Sequence, residues 1–136
     1  MKLGRELVLF AVGGALGFVV DAGILQALVT FAHVNPYLGR VFSFLVASTA
    51  TWWWNRSQTF AARSSGRSLW AEWLHWMALM SGGALVNYGA YALCLYEIPA
   101  WHKLPILAVA VGSALAAGVN FVSARLLLFR RAKAKA

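Results

Sequence analysis

The chain is 136 residues long, 61% hydrophobic and only 12% charged, with a formal net charge of +8. These shares lie far from those of an average soluble domain and exclude a water-soluble globular fold. A single cysteine, Cys94, excludes an internal disulfide framework. The chain also lacks a metal-ligand cluster, a phosphate-cradling glycine loop and a nucleophile triad, so no cofactor and no catalytic activity are expected.

In chain order, the first apolar run covers residues 7–32, behind Lys2 and Arg5. Basic residues followed by an apolar stretch resemble a signal peptide. The run is too long for one and continues past Asp21, so it is expected to remain uncleaved. Gly13 and Gly17 form a G-x-x-x-G step suited to close helix packing. Asp21 falls near mid-membrane, where an aspartate costs roughly 3 kcal/mol, so it requires a partner or a use. Arg40, near the outer end of the second run (residues 37–54), is a geometrically reasonable partner. Both a structural ion pair and a transport role for Asp21 stay open.

Trp52, Trp53 and Trp54 close the second run, and Asn55-Arg56 follows. Trp70, Trp73 and Trp76 open the third run, residues 70–96. An aromatic belt on one membrane side accounts for all six, with stacking on a sugar ring as the alternative. Asn87, between Gly83 and Gly89, resembles the Gly17, Asp21, Gly23 spacing of the first run. In the fourth run, residues 104–129, Gly112, Ala116 and Asn120 continue a small stripe, and Arg125 follows five residues after Asn120. His33, His75 and His102 read as interfacial polar residues rather than proton relays.

Backbone groups in lipid must bond within their own segment, so runs of this length are helices. The expected fold is an all-α integral membrane protein, a single membrane domain over residues 1–136 with four transmembrane helices. Of the 12 basic residues, all but Arg40 and Lys103 lie at the termini, between the second and third runs, or, for Arg125, near the end of the fourth run. The positive-inside rule therefore places both termini and the central loop in the cytoplasm. The basic tail (Arg130, Arg131, Lys133, Lys135) suits anionic lipid headgroups, and no nucleic-acid partner is expected.

An offset of 69 residues brings Gly13-Gly14-Ala15-Leu16 onto Gly82-Gly83-Ala84-Leu85, Pro36 onto Pro105, Arg56 onto Arg125 and Phe60 onto Phe129. Each half, about residues 7–60 and 76–129, holds two helices. An even helix count gives both halves one orientation, a parallel repeat. The match of Asn87 to Asp21 needs an offset of 66 and conflicts with that register. Arg56 and Arg125 become counterparts at one depth, where two guanidinium forks would clamp a phosphate.

From about residue 6 to residue 129 the chain resembles the GtrA-like family of small four-helix membrane proteins. The marks are Phe10-Ala-Val-Gly-Gly with Asp21 downstream, Asn55-Arg56 with Thr59-Phe60, and Asn120-Phe121 with Ser123, Arg125 and Phe129. The family often has Asn five residues before the arginine in both halves, and here the first such position is Thr51. The resemblance implies movement of a polyprenyl-phosphate-linked sugar across the cytoplasmic membrane for cell-surface polysaccharide synthesis. Arg56, Arg125, Asn55, Asn120, Asp21, Asn87 and Arg40 are the candidate substrate-binding residues. A homodimer, or a complex with a membrane glycosyltransferase, is expected, because four helices enclose little volume. The alternatives are a proton-coupled exporter similar to small multidrug resistance proteins and a non-transporting assembly subunit for a glycosyltransferase.

Overall fold

A computed structural model of the chain describes residues 2–104 and 106–133. It contains four long helices: α1 (Leu3–Phe31), α2 (Pro36–Trp54), α3 (Leu69–Glu97) and α4 (Ile106–Ser123). π-helical turns, Asn55–Thr59 and Ala124–Leu128, extend α2 and α4. Two short strands, β1 (Arg63–Ser64) and β2 (Arg131–Ala132), pair antiparallel, with Arg63 opposite Ala132. The protein is an all-α membrane protein. The expected pairing of Pro36 with Pro105, and Lys135 of the tail, lie outside the described residues.

Local chemistry sets the helix ends. Pro36 occupies the first turn of α2, where its missing N–H costs nothing, and the Asn35 side chain accepts from the Tyr37 N–H at 2.8 Å. Ser68 caps α3 by accepting from the Ala71 N–H at 3.3 Å. α3 stops at Glu97 because Ile98 precedes Pro99 and leaves the helical region.

Among the described residues, α1, α3 and the stretch Ile106–Leu128 are long and apolar enough to cross a bilayer. The remaining helix, α2, is expected from its sequence to span as well but is not among them, since it carries Arg40, Ser43, Ser48, Thr49 and Thr51 in its 19 residues. Its hydroxyls do not stay open to lipid. Ser43 and Ser48 are buried, and Thr49 and Thr51 donate to the main-chain carbonyls of Leu45 and Ser48 at 2.7 and 3.0 Å. Large apolar side chains point outward along the helices, including Phe18 at 72% and Leu85 at 75% exposure, as lipid contact requires.

The chain forms two compact units: one holds α1, α2 and the strands, the other α3 and α4. In the first, α1 packs on α2, and the buried ring of Phe60 sits 6.3 Å from Phe10 at 58°. In the second, α3 packs on α4, and Trp76 and Phe129 pack at 6.4 Å and 57°. Phe60 and Phe129 are 69 positions apart, whereas Phe10 and Trp76 are 66 apart. The 66-residue spacing, not the 69-residue one, relates the packing positions of α1 to those of α3. Of the glycine pairs matched at 69, Gly13 and Gly83 pack closely while Gly14 and Gly82 have open space. That glycine match is therefore no packing equivalence.

Candidate functional site

The two π-helical turns give the arginines their setting. Each is closed by a bond spanning five residues: Phe60 N–H to the Asn55 carbonyl at 2.7 Å, and Phe129 N–H to the Ala124 carbonyl at 2.8 Å. Arg56 and Arg125 are the second residue of their turns, and both are half-buried. In the first unit a side-chain ladder braces the turn. The Asn55 amide donates to the Thr51 carbonyl at 2.8 Å and its oxygen accepts from the Thr59 hydroxyl at 2.6 Å. In the second unit the same places hold the buried apolar side chains of Ala124 and Leu128. The turn thus forms with or without side-chain bonds. Asn55 is 2% exposed, with both ends of its amide engaged inside the helix by Thr51 and Thr59.

Asp21 and Arg40 meet as the sequence suggests. The Arg40 Nη1 donates to Asp21 Oδ2 at 2.5 Å, and the Ser43 hydroxyl donates to Oδ1 at 2.6 Å. The carboxylate is 16% exposed and the guanidinium 59%. In the second unit Asn87 stands 66 positions after Asp21, and Gly112 stands 69 after Ser43. The two pack against one another: a methyl on Gly112 would approach the Asn87 main-chain oxygen to 2.6 Å. One unit closes this place with an ion pair, the other with an uncharged contact.

Lower on the helices a second small-residue contact recurs. Gly17 of α1 lies under Thr51 of α2, and Gly83 of α3 lies under Asn120 of α4. Asn120 therefore serves the helix contact, and its buried oxygen has no hydrogen-bond partner among the described residues. Asp21 and Arg40 come together, as do Asn87 with Gly112 and Asn120 with Gly83. Within the first unit, Arg40 and Arg56 stand at opposite ends of α2, about 24 Å apart along it.

Two buried carboxylates escaped the sequence reading. Glu6 is 1% exposed and accepts from the Arg63 Nε at 2.9 Å; Glu72 is 2% exposed and accepts from the Ser65 hydroxyl at 2.5 Å. They are 66 positions apart and make up half of the chain's four acidic residues. The shorter offset, applied to the acidic residues alone, finds them. The six tryptophans also divide. Trp53 and Trp70 are exposed, and Trp70 stacks on Trp73 at 5.2 Å, as a belt requires. Trp52 and Trp76 are buried, and Trp54 donates its indole N–H to the Leu9 carbonyl at 2.9 Å, beside Gly13. Those three are packing residues, and Gly13 leaves the room that Trp54 occupies.

The pattern of helices, paired small residues and arginine-bearing turns covers nearly all of the stretch matched by one protein-family model. That model, the GtrA/DPMS transmembrane domain, spans residues 9–129, and the chain belongs to this family.

Proposed function

We propose that the protein moves a polyprenyl-phosphate-linked sugar between the leaflets of the cytoplasmic membrane for cell-surface polysaccharide synthesis, and that Arg56 in its unit and Arg125 in its own are each a phosphate contact. Its membership of the GtrA/DPMS family supports the class of cargo. The observation that carries the site is the recurrence of one uncommon element: each unit ends its second helix in a π-helical turn with an arginine as second residue. π-helical turns are rare and concentrate at functional sites. A guanidinium suits a phosphodiester because its planar fork gives two parallel charge-assisted bonds.

In this reading both termini and the 60–68 loop are cytoplasmic, so the arginines stand at the leaflet where the lipid is made. Arg130, Arg131 and Lys133 add attraction for anionic headgroups. The two units are copies of one two-helix repeat, and the cargo passes along a transporter rather than through an enzyme's active site. A homodimer or a complex with a membrane glycosyltransferase supplies the enclosure four helices lack. Proton-coupled export is the weaker alternative, since both Asp21 oxygens are occupied by Arg40 and Ser43.

The test is equilibrium binding of a labelled polyprenyl-phosphate sugar to purified protein. Arg56→Lys and Arg125→Lys keep the charge but lose the fork, and each is expected to weaken binding about tenfold or more. Wild-type binding by both variants would reduce the pair to membrane anchors.

A further inference from the structure

The two units differ most in how they close the contact between Asp21 and α2. In the second unit the corresponding residues are Asn87, Val109 and Gly112, without an ion pair, and α3 still packs on α4 there. Helix pairing at this place therefore works without charge. A largely enclosed carboxylate within a membrane helix is costly even when paired, and polar groups kept at such cost serve a pathway or a ligand.

The geometry of the pair says which partner faces the ligand. Asp21 is the enclosed one, 16% exposed and satisfied on both oxygens by Arg40 and Ser43. Arg40 is 59% exposed, and among the described residues its guanidinium donates only through Nη1, to Asp21. A guanidinium carries five N–H donors, so most of the Arg40 fork is held in place yet unspent. Asp21 and Ser43 act as a mount that orients a cation. An oriented, open guanidinium recognises an oxyanion.

Arg40 also stands at the opposite end of α2 from Arg56, about 24 Å along the helix. That is most of the roughly 30 Å thickness of a hydrocarbon core. We propose that Arg40, mounted by Asp21 and Ser43, is a second phosphate contact, which receives the lipid phosphodiester in the leaflet opposite Arg56. The inference rests on the lipid-phosphate reading above and adds the arrival side of the path.

The second unit supplies the test variant. Asp21→Asn with Arg40→Val copies Asn87 and Val109 and leaves no uncompensated charge. Wild type and double variant are placed in phosphatidylcholine vesicles with a fluorescent polyprenyl-phosphate sugar in the leaflet on the Arg56 side. Binding to the purified proteins is measured, and arrival in the opposite leaflet is followed with an impermeant quencher. The double variant is expected to deliver the lipid to that leaflet at least about tenfold more slowly than wild type. Delivery at the wild-type rate would overturn the proposal. Should the double variant fail to fold, Arg40→Lys decides: it keeps a cation for Asp21 but loses the fork, so slower delivery supports the proposal and an unchanged rate rejects it. A wild-type protein that neither binds nor moves the lipid would refute the reading at Arg56 and Arg125 instead. A mover that is indifferent to Arg40 refutes this inference alone.

Discussion

Gly83 of α3 and Asn120 of α4 stand so close that a methyl group on the glycine would occupy the space of the asparagine amide. The contact fixes the approach of the two helices, since the amide is hemmed in and its oxygen is buried. Gly83→Ala is therefore expected to destabilise the protein by about 1–3 kcal/mol, the usual range for overpacking. Gly82→Ala, one residue away with open space around it, is the control and should be neutral. Equilibrium unfolding of both variants in detergent micelles checks this.

Trp76 and Trp70 separate packing from belt. Trp76 is fully buried against Phe129, whereas Trp70 is 67% exposed. Trp76→Ala should cost about 3–5 kcal/mol of stability through the void it leaves. Trp70→Ala should cost less than about 1 kcal/mol in micelles. The same unfolding measurement reads both, and equal losses would contradict the division of the tryptophans.

Arg63 is 21% exposed and holds Glu6, which is 1% exposed. Arg63→Gln removes a charge-assisted contact from a buried carboxylate, and a loss of about 1.5–3 kcal/mol is expected. Since the pair is enclosed, its contribution should change little between low and high salt. Arg67→Gln, at an exposed position, should alter stability by less than about 0.5 kcal/mol. Thermal unfolding at two ionic strengths distinguishes the two.

Topology is checked by labelling single cysteines in a Cys94→Ala background. Ser65 makes a poor reporter because it is buried against Glu72. Arg67→Cys and Ala32→Cys are both at exposed positions. An impermeant thiol reagent applied from outside should label Ala32→Cys and spare Arg67→Cys until the membrane is opened. Equal labelling from outside would contradict the single orientation expected from the basic residues.

The helices were legible in the sequence because apolar length alone dictates them in lipid. The Asp21–Arg40 pair was legible for a related reason: a lone charge there is too costly to stand. Ser43 was not, since nothing in a serine's position shows that it faces a carboxylate. The π-helical turns were also hidden. Asn55-Arg56 and Ala124-Arg125 share only the arginine, and the turn depends on a backbone bond that side-chain identity does not announce. The 69-residue offset matches Gly13 and Gly14 to Gly82 and Gly83, yet the closely packed glycines are Gly13 and Gly83, so that match does not follow the packing. At 66 residues the buried Glu6 and Glu72 correspond. So do Gly17 and Gly83, each set against a polar side chain of the next helix.

The π-helical turns also set a rotational phase. Each residue of an α-helix advances the next by about 100° around the axis. The five-residue closure at Asn55–Thr59 delays that advance by one position, so Phe60 arrives facing Phe10. Removing a single residue from the turn would restore ordinary winding and leave Phe60 at about the same angle, because five residues of π-winding cover roughly the arc of four in an α-helix. The turn thus absorbs one extra residue without turning Phe60 away from Phe10, and it forms around Asn55 and Thr59 in one unit and around Ala124 and Leu128 in the other.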